Sequence, residues 1–265
     1  YTVSDGTATD VGKVNIVVDN VNDPPDARDD VIRFTEDTVT AFDPRSNDID
    51  VDGDQLTITA INGTPISLGS APIVLINGTI QMVEGNTPGT TQLSFTPNDN
   101  FNGTQTFNYT ISDGRGGFDN ATVTLQGVPV NDPPAGKDAV ETTPEDTPYT
   151  VTVANFGFSD PDVGDTLAAV RIDSLPAKGS LQLNGTPVAA GALISVADID
   201  AGALKFIPAL DENGTPYASF TFSVQDSAGA FDPTPNTLTL NVTPVSDSPA
   251  AGDDVATTPE DTPIL

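Results

Sequence analysis

Gln105–Gly114 reads QTFNYTISDG. Phe107, Tyr109 and Ile111 take alternate positions, with Thr106, Asn108 and Thr110 between them. That period of two marks a β-strand with one buried face. The closing phrase returns: YTVSDG begins at Tyr1, YTISDG at Tyr109, and the looser FSVQDSAG spans Phe222–Gly229. Working outward from each copy, the flanking landmarks recur as well. VNDPP stands at Val21–Pro25 and Val130–Pro134, and VSDSP at Val245–Pro249. Glu-Asp-Thr stands at Glu36, Glu145 and Glu260, spaced 109 and then 115 residues apart. Self-similarity at a fixed period is the signature of a repeat array.

The period divides the chain into a partial unit at 1–23, full units at 24–132 and 133–247, and a partial unit at 248–265. The partial units are expected to be the last strands of an upstream repeat and the first strand of a downstream one. LTITAI (Leu56–Ile61), FTFSV (Phe220–Val224) and TLTLNV (Thr237–Val242) alternate as well. Asn-Gly at Asn62, Asn77, Asn102, Asn184 and Asn213 is read as hairpin turns, because Asn-Gly supplies the two positive φ angles of a two-residue connection. Each is followed by Thr, so each is formally a glycosylation acceptor, but only the hairpin reading explains the glycine. Ser195–Ala203 (SVADIDAGA) is the one helical turn expected, capped by Ser195. Roughly 110 residues with about seven short strands is the size of an immunoglobulin-like β-sandwich. The fold class is therefore all-β, with tandem sandwiches in a linear array. Phe107, Tyr109, Ile111, Phe220, Phe222 and Val224 are expected in the cores.

Composition narrows the chemistry. The chain has no cysteine and no histidine, which excludes disulfides, zinc sites of the usual ligand set and Ser-His-Asp machinery. Its 38 acids against 9 bases give a net charge of −29, so nucleic acid and anionic membrane surfaces are repelled. No apolar run approaches the length of a membrane span. The acids cluster. NDIDVDGD (Asn47–Asp54) places Asp48, Asp50, Asp52 and Asp54 at alternate positions with a glycine before the last. That spacing lets a loop wrap one calcium ion, as in the first half of an EF-hand loop. The twelfth position is Thr59 and not Glu, so the EF-hand fold itself is not implied. SDPDVGD (Ser159–Asp165) offers Asp160, Asp162 and Asp165 at altered spacing, with Pro161 and a shifted Gly164. At the proline-stiffened linkers, Asn22, Asp23, Asn131 and Asp132 add oxygen ligands.

The linker VNDPP resembles the joint between cadherin repeats. TEDT (Thr35–Thr38) and TPEDTP (Thr143–Pro148) resemble the acidic motif that follows that joint. LDEN at Leu210 and QDSAG at Gln225 resemble the cadherin LDRE motif and the Asp-containing loop after it. Still more, NDIDVDGD, NFNGTQTFNYTISDG (Asn100–Gly114) and VNDPPDA (Val21–Ala27) are similar, in order and in register, to the tandem cadherin-like repeats of large bacterial surface proteins and adhesins. The resemblance implies calcium at each joint. It assigns Asn22, Asp23, Asp50, Asp52 and Asp113 to the first joint. The second receives Glu36, Asn131, Asp132, Asp160, Asp162 and Asp226, and the third Glu145, Asp211 and Asp247. Asn98-Asp99-Asn100 stands where an acidic motif would sit in the first unit.

Three functions are weighed. An extracellular, cell-surface spacer, stiffened by calcium and packed only against neighbouring repeats, accounts for acids that recur at every joint. Direct binding of polysaccharide or of a cell-surface ligand, including a like repeat, is the second: sugar platforms usually need exposed aromatics, for which Tyr149 and Tyr217 are the residues to test, and homophilic contact needs an apolar patch. Enzymatic use of paired carboxylates suits a single site better than a repeated one.

Overall fold

The computed structural model describes residues 1–247, 257, 259 and 260, so the strand expected at 248–265 falls almost wholly outside the described residues. The chain forms two compact units, Tyr1–Val130 and Asn131 onward.

The first unit opens with β1 (Thr2–Ser4) and β2 (Thr9–Val11), an antiparallel pair in a sheet of its own. Its sandwich is built from β3 (Asp30–Thr35), β4 (Thr40–Phe42), β5 (Thr57–Ile61), β6 (Thr64–Pro65), β7 (Ile73–Leu75), β8 (Gly78–Glu84), β9 (Thr91–Pro97), β10 (Thr104–Ser112) and β11 (Phe118–Val128). One sheet has the order β3-β11-β10-β5-β6 and the other β4-β9-β8-β7. Only β3 and β11 pair in parallel; the remaining pairs are antiparallel. Phe107, Tyr109 and Ile111 face inward onto Phe34, Ile80, Leu93, Phe95 and Leu125, all buried. The alternation read in the sequence is thus the alternation of burial along β10.

The second unit repeats the plan with β12 (Ala139–Pro144), β13 (Tyr149–Thr150), β14 (Leu167–Ile172), β15 (Ser180–Leu183), β16 (Thr186–Pro187), β17 (Leu193–Ser195), β18 (Leu204–Ile207), β19 (Gly214–Asp226) and β20 (Asn236–Thr243). Its sheets run β12-β20-β19-β14-β17 and β13-β18-β15-β16. Phe220, Phe222 and Val224 are buried in its core. The connection between the sheets differs from unit 1. There, the edge strand β6 follows β5 directly and the β7–β8 hairpin comes next. Here the β15–β16 hairpin comes first, β17 returns to flank β14, and helix α1 (Val196–Asp200) carries the chain across to β18. Ser195 caps α1 by accepting from the Asp198 N–H at 3.1 Å, as expected.

Asn-Gly makes the expected hairpins at 62–63 and 184–185, where both residues have positive φ (47° and 76°, 50° and 78°) and only the glycine does so without steric cost. Asn77-Gly78 also lies in a hairpin, with Gly78 already paired to Leu75. The hairpin reading fails at Asn102 and Asn213. There the chain reverses earlier, at Asn100 and Asp211 (φ 57° each), and Asn-Gly runs straight into β10 and β19. Tyr217, expected to be exposed, is 7% exposed. It packs on Phe206, and its hydroxyl donates to Glu212 and accepts from the Ala209 N–H. Tyr149 is half-buried, its hydroxyl accepting from the Asn155 amide at 3.0 Å. Neither forms an open aromatic platform.

Two polar features support the sandwiches beyond their cores, one of them common to both units. The first is a reciprocal carboxylate latch between the opening and closing strands. In unit 1 the Ala27 N–H donates to Asp119 and the Thr122 N–H to Asp29, both at 2.8 Å. In unit 2 the Gly136 N–H donates to Asp232 and the Thr237 N–H to Asp138, both at 2.7 Å. Parallel edge pairing is the weaker kind, and charge-assisted bonds at its mouth reinforce it. The second feature is confined to unit 1. The fully buried Tyr109 hydroxyl donates to Asp48 at 2.9 Å and lies 3.4 Å from Asp30, and Asp48 also accepts from the Arg28 N–H at 2.8 Å. Asp48, expected among the calcium ligands, is therefore turned inward. Ile49 is fixed in a bridge with Asp26, and the tyrosine captures the carboxylate next to it. Burial, and then the charge of Asp48, push Asp30 up to about 6. In unit 2 the corresponding residues are Ala139, Phe158 and Phe222, and the polar trio is replaced by packing.

Two outcomes follow for stability. Asp119→Ala and Asp232→Ala will each cost their own unit about 1–3 kcal/mol of unfolding free energy, since each strands a backbone donor; urea titrations followed on unit-specific backbone amides measure this. Asp30 holds its proton more tightly in the folded unit (about 6) than in the unfolded chain (3.8). The stabilisation from protonation is therefore complete below pH 3.8 and lost as pH rises through 6. Unit 1 will gain stability as pH falls from 7.5 to 5, and Asp30→Asn will reduce that gain; a flat parent profile over this window would contradict the assignment.

Candidate metal centre

One end of each unit gathers carboxylates from three segments that the fold brings together: the linker, the Asp-rich loop before the third strand, and the turn after β10 or β19. In unit 1, Asp50 organises its loop by accepting from the N–H groups of Asp52 (2.9 Å) and Asp54 (3.2 Å). Asp50, Asp52 and Asp54 each bring a carboxylate oxygen within 4.8 Å of the others. The linker is tied onto this loop. The Asp23 N–H donates to Asp52 at 2.7 Å, the Asn20 amide to Asp52 at 2.6 Å and the Asn22 amide to Asp113 at 2.7 Å. Asp113, buried at 5% exposure, also accepts from the Arg115 and Gly117 N–H groups. A Cβ on Gly117 would meet an Asp113 oxygen at 2.3 Å and the Pro24 Cα at 2.8 Å, so a side chain there would push on both the carboxylate and the linker. The Asn22 amide first, and then the Arg115 N–H, hold the Asp113 carboxyl below its ordinary range; the Asp23 N–H does the same for Asp52.

Unit 2 is wired in the same way. The Asp132 N–H donates to Asp162 at 2.7 Å, the Asp162 N–H to Asp160 at 2.8 Å and the Asn131 amide to Asp226 at 3.0 Å. Asp226, 1% exposed, accepts from the Gly229 and Ala230 N–H groups. Asp160, Asp165 and Asp226 converge within 4.8 Å, so the changed spacing around Pro161 and Gly164 does not scatter them. Burial pushes Asp160 up. Arg115 pairs with Asp54 at 3.0 Å in unit 1; its counterpart in unit 2 is Ala228, and Ser227 donates to Asp165 instead.

A second acidic set lies at the end of each unit where the Glu-Asp-Thr turns fall. Glu36, 1% exposed, accepts from the Val130 N–H. Glu145 accepts from the Val245 N–H at 2.5 Å and the Asn213 amide at 2.9 Å; the amide is the larger cause of its lowered pKa. Asp146, Asp211 and Asp247 converge within 4.8 Å, exposed to solvent, and burial followed by the Asp211 charge raises Asp247. Asn20 and Asp146 were not singled out from sequence; Asp146 could have been, as the middle residue of the repeated tripeptide.

The donor set is hard oxygen throughout. Asn22 Oδ1, Asp50 Oδ2, Asp54 Oδ2, Asp160 Oδ2 and Glu36 Oε2 are buried and accept no hydrogen bond, although buried acceptors are ordinarily satisfied. Two carboxylate charges at such separations repel by about 3 kcal/mol at an effective dielectric of about 20. Buried, unsatisfied carboxylate and amide oxygens facing one another are the ligands a calcium ion takes.

No helix among the described residues is long and apolar enough to cross a membrane. No curated protein sequence matches the chain. Among solved structures it is similar to domains 1–2 of human mucin-like protocadherin (20% identity over 82% of this chain and 96% of that one, TM-score 0.41). It is also similar to domains 1–4 of protocadherin gamma B7 (13%, 83% and 51%, TM-score 0.44) and to the human desmocollin-1 ectodomain (11%, 86% and 42%, TM-score 0.43). The chain thus spans about half the length of the protocadherin gamma B7 chain. The bacterial Ig domain matches twice, over residues 22–126 and 131–243. With most of its length in those two copies, each folded as an immunoglobulin-like sandwich, the chain belongs to the bacterial Ig domain family.

Proposed function

We propose that this chain is a spacer segment of an extracellular, adhesin-type surface protein, and that calcium stiffens it by fixing each linker onto the unit that follows. The observation that carries this reading is the duplicated wiring. In both units a linker Asn donates to the Asp of the strand-end turn, and a linker Asp N–H donates to the middle Asp of the loop. Around both, buried carboxylate oxygens lack donors. A site that serves chemistry has no need to recur at the same place in successive units. A site that fixes linkers does, because short linkers flex by default.

In this reading Asn22, Asp23, Asp50, Asp52, Asp54 and Asp113 hold the ion of unit 1. Asn131, Asp132, Asp160, Asp162, Asp165 and Asp226 hold that of unit 2, while Glu36, Glu145, Asp211 and Asp247 face the following linkers. Asp48 is left out, since its carboxylate serves Tyr109. The repeat boundaries proposed are 24–132 and 133–247, with 248–265 as an opening strand and 1–23 as closing strands. In support of the last, Tyr1, Val3, Val14 and Ile16 are exposed, whereas the matching Tyr109, Ile111, Val123 and Leu125 are buried. Magnesium, smaller and reluctant to shed water, fits a multi-carboxylate loop less well.

Millimolar calcium will raise the melting temperature by several degrees over chelator, since an ion at about 100 times its Kd adds about 2.7 kcal/mol to the folded state, and magnesium will do markedly less. Asp50→Asn will abolish the gain in unit 1 and Asp160→Asn that in unit 2, each leaving the other unit responsive. No calcium-dependent shift in the parent chain would sink the proposal.

A further inference from the structure

The two units finish one part of the sandwich differently. In unit 2 the connection entering β18 is helix α1. It packs against β14 and the 3-10 turn Val153–Phe156 and buries Ile199 in the core. In unit 1 the connection entering β9 is the irregular loop between Glu84 and Thr91, and no helix fills the corresponding place. What stands there is a cleft of about 810 Å³, walled by the turn Pro44–Ser46, the start of β5, the Asp-rich loop and that connection. Small-molecule sites usually span about 300–1,000 Å³.

The walls select the ligand. Arg45 lies in the floor, but its guanidinium is fully engaged: it pairs with both oxygens of Asp43 at 2.8 Å and donates to the carbonyls of Leu56 and Thr91. With Asp48, Asp50 and Asp54 also at the wall, an anion meets net repulsion. Asp48 is engaged by Tyr109 and Asp54 by Arg115, and the oxygens of Asp50 and Asp54 that have no donor are those assigned above to calcium, which leaves no further charge for a cationic ligand. The lining contains no aromatic ring, and Ile49 and Leu56 are its only large apolar side chains. The side-chain amides of Gln55, Asn86 and Gln92 make no hydrogen bond within the protein, nor do the hydroxyls of Thr87 and Thr91. An amide offers a donor and an acceptor side by side, which complements the adjacent hydroxyls of a sugar ring.

We propose that this cleft of unit 1 binds a neutral, hydroxyl-rich oligosaccharide, and that unit 2, plugged by α1, does not. Without a stacking aromatic, affinity falls in the millimolar range. The inference rests on the calcium reading for the charge at the wall, since Asp50 and Asp54 line the cleft as well, while none of the three amides belongs to the proposed ion site.

The test uses the isotope-labelled 265-residue chain, with calcium and with chelator. It is titrated with neutral tetrasaccharides of glucose, mannose, galactose and N-acetylglucosamine, and in parallel with tetragalacturonate and spermidine. The expected result is that at least one neutral probe moves the backbone amides of residues 53–57 and 85–92 and leaves α1 unmoved. The triple variant Gln55→Ala/Asn86→Ala/Gln92→Ala should bind it roughly tenfold more weakly, with the β10 and β11 resonances unchanged as a check on folding. The inference is overturned if no neutral probe moves the cleft at millimolar concentration. It is overturned equally if only tetragalacturonate or spermidine does so, or if the triple variant binds like the parent. A calcium effect on the melt alongside a silent cleft would leave the spacer reading standing and remove this one.

Discussion

Both units depend on aspartate carboxylates accepting backbone N–H groups. Asp29, Asp119, Asp138 and Asp232 close the strand that opens each sandwich onto the strand that ends it. Asp50, Asp113 and Asp226 shape the turns at one end, and Asp37 and Asp146 hold the reversals at the other, through the N–H groups of Asn100 and Asp211. A chain with a net charge of −29 has to place its acids where they meet donors or water, and loop N–H groups are the donors that the sheets leave unused. The acidity is thus part of the architecture before it serves any ion.

The same rule explains which parts of the structure were legible in the sequence. Strand alternation, the hairpins at Asn62 and Asn184 and the capped turn at Ser195 depend on neighbours in sequence, and those were readable. The latches were not, because Asp29 and Asp119 each meet their donors, the Thr122 and Ala27 N–H groups, across more than ninety residues and an isolated Asp carries no mark of its partner. The swapped order of edge strand and hairpin was equally hidden: two short edge strands are compatible with either connection. Asn102 and Asn213 were misread because a positive-φ residue just upstream had already turned the chain. The bond between Asp48 and Tyr109 was hidden because the spacing of Asp48 matches a ligand loop while Tyr109 lies on another strand. The carboxylates that converge at the unit ends were legible as a set, since repetition marks them even where no single motif is specific.

Having two copies of one fold in one chain also separates what the fold requires from what it permits. Tyr109 with Asp30 and Asp48 fills the same space as Phe222 with Ala139 and Phe158. The polar version buries Asp30 beside the charge of Asp48, which pushes its carboxyl up to about 6; the apolar version avoids that cost, as replacements of buried polar groups often do. Arg115 against Ala228 and Asn100 against Asp211 are exchanges of the same kind. They show that local charge at the unit ends varies, whereas the linker wiring does not.

The placement of the remaining polar groups bears on how a cation would act. The outer face of β10 and β11 is neutral: Thr110 donates to Asn120 at 2.6 Å and Thr122 to Asn108 at 3.1 Å, in reciprocal cross-strand pairs. On this face charge is confined to the flanking turns and latches. Monovalent salt screens exposed charges beyond about 8–10 Å but hardly reaches buried pairs. The repulsion among Asp50, Asp52 and Asp54, whose oxygens lie within 4.8 Å of one another, is short-range and partly buried. Ionic strength alone cannot relieve it, whereas an ion coordinated by those oxygens can. The same loop receives the linker through Asp23 and Asn20, so the charge of the loop and the path of the linker depend on the same carboxylate, that of Asp52.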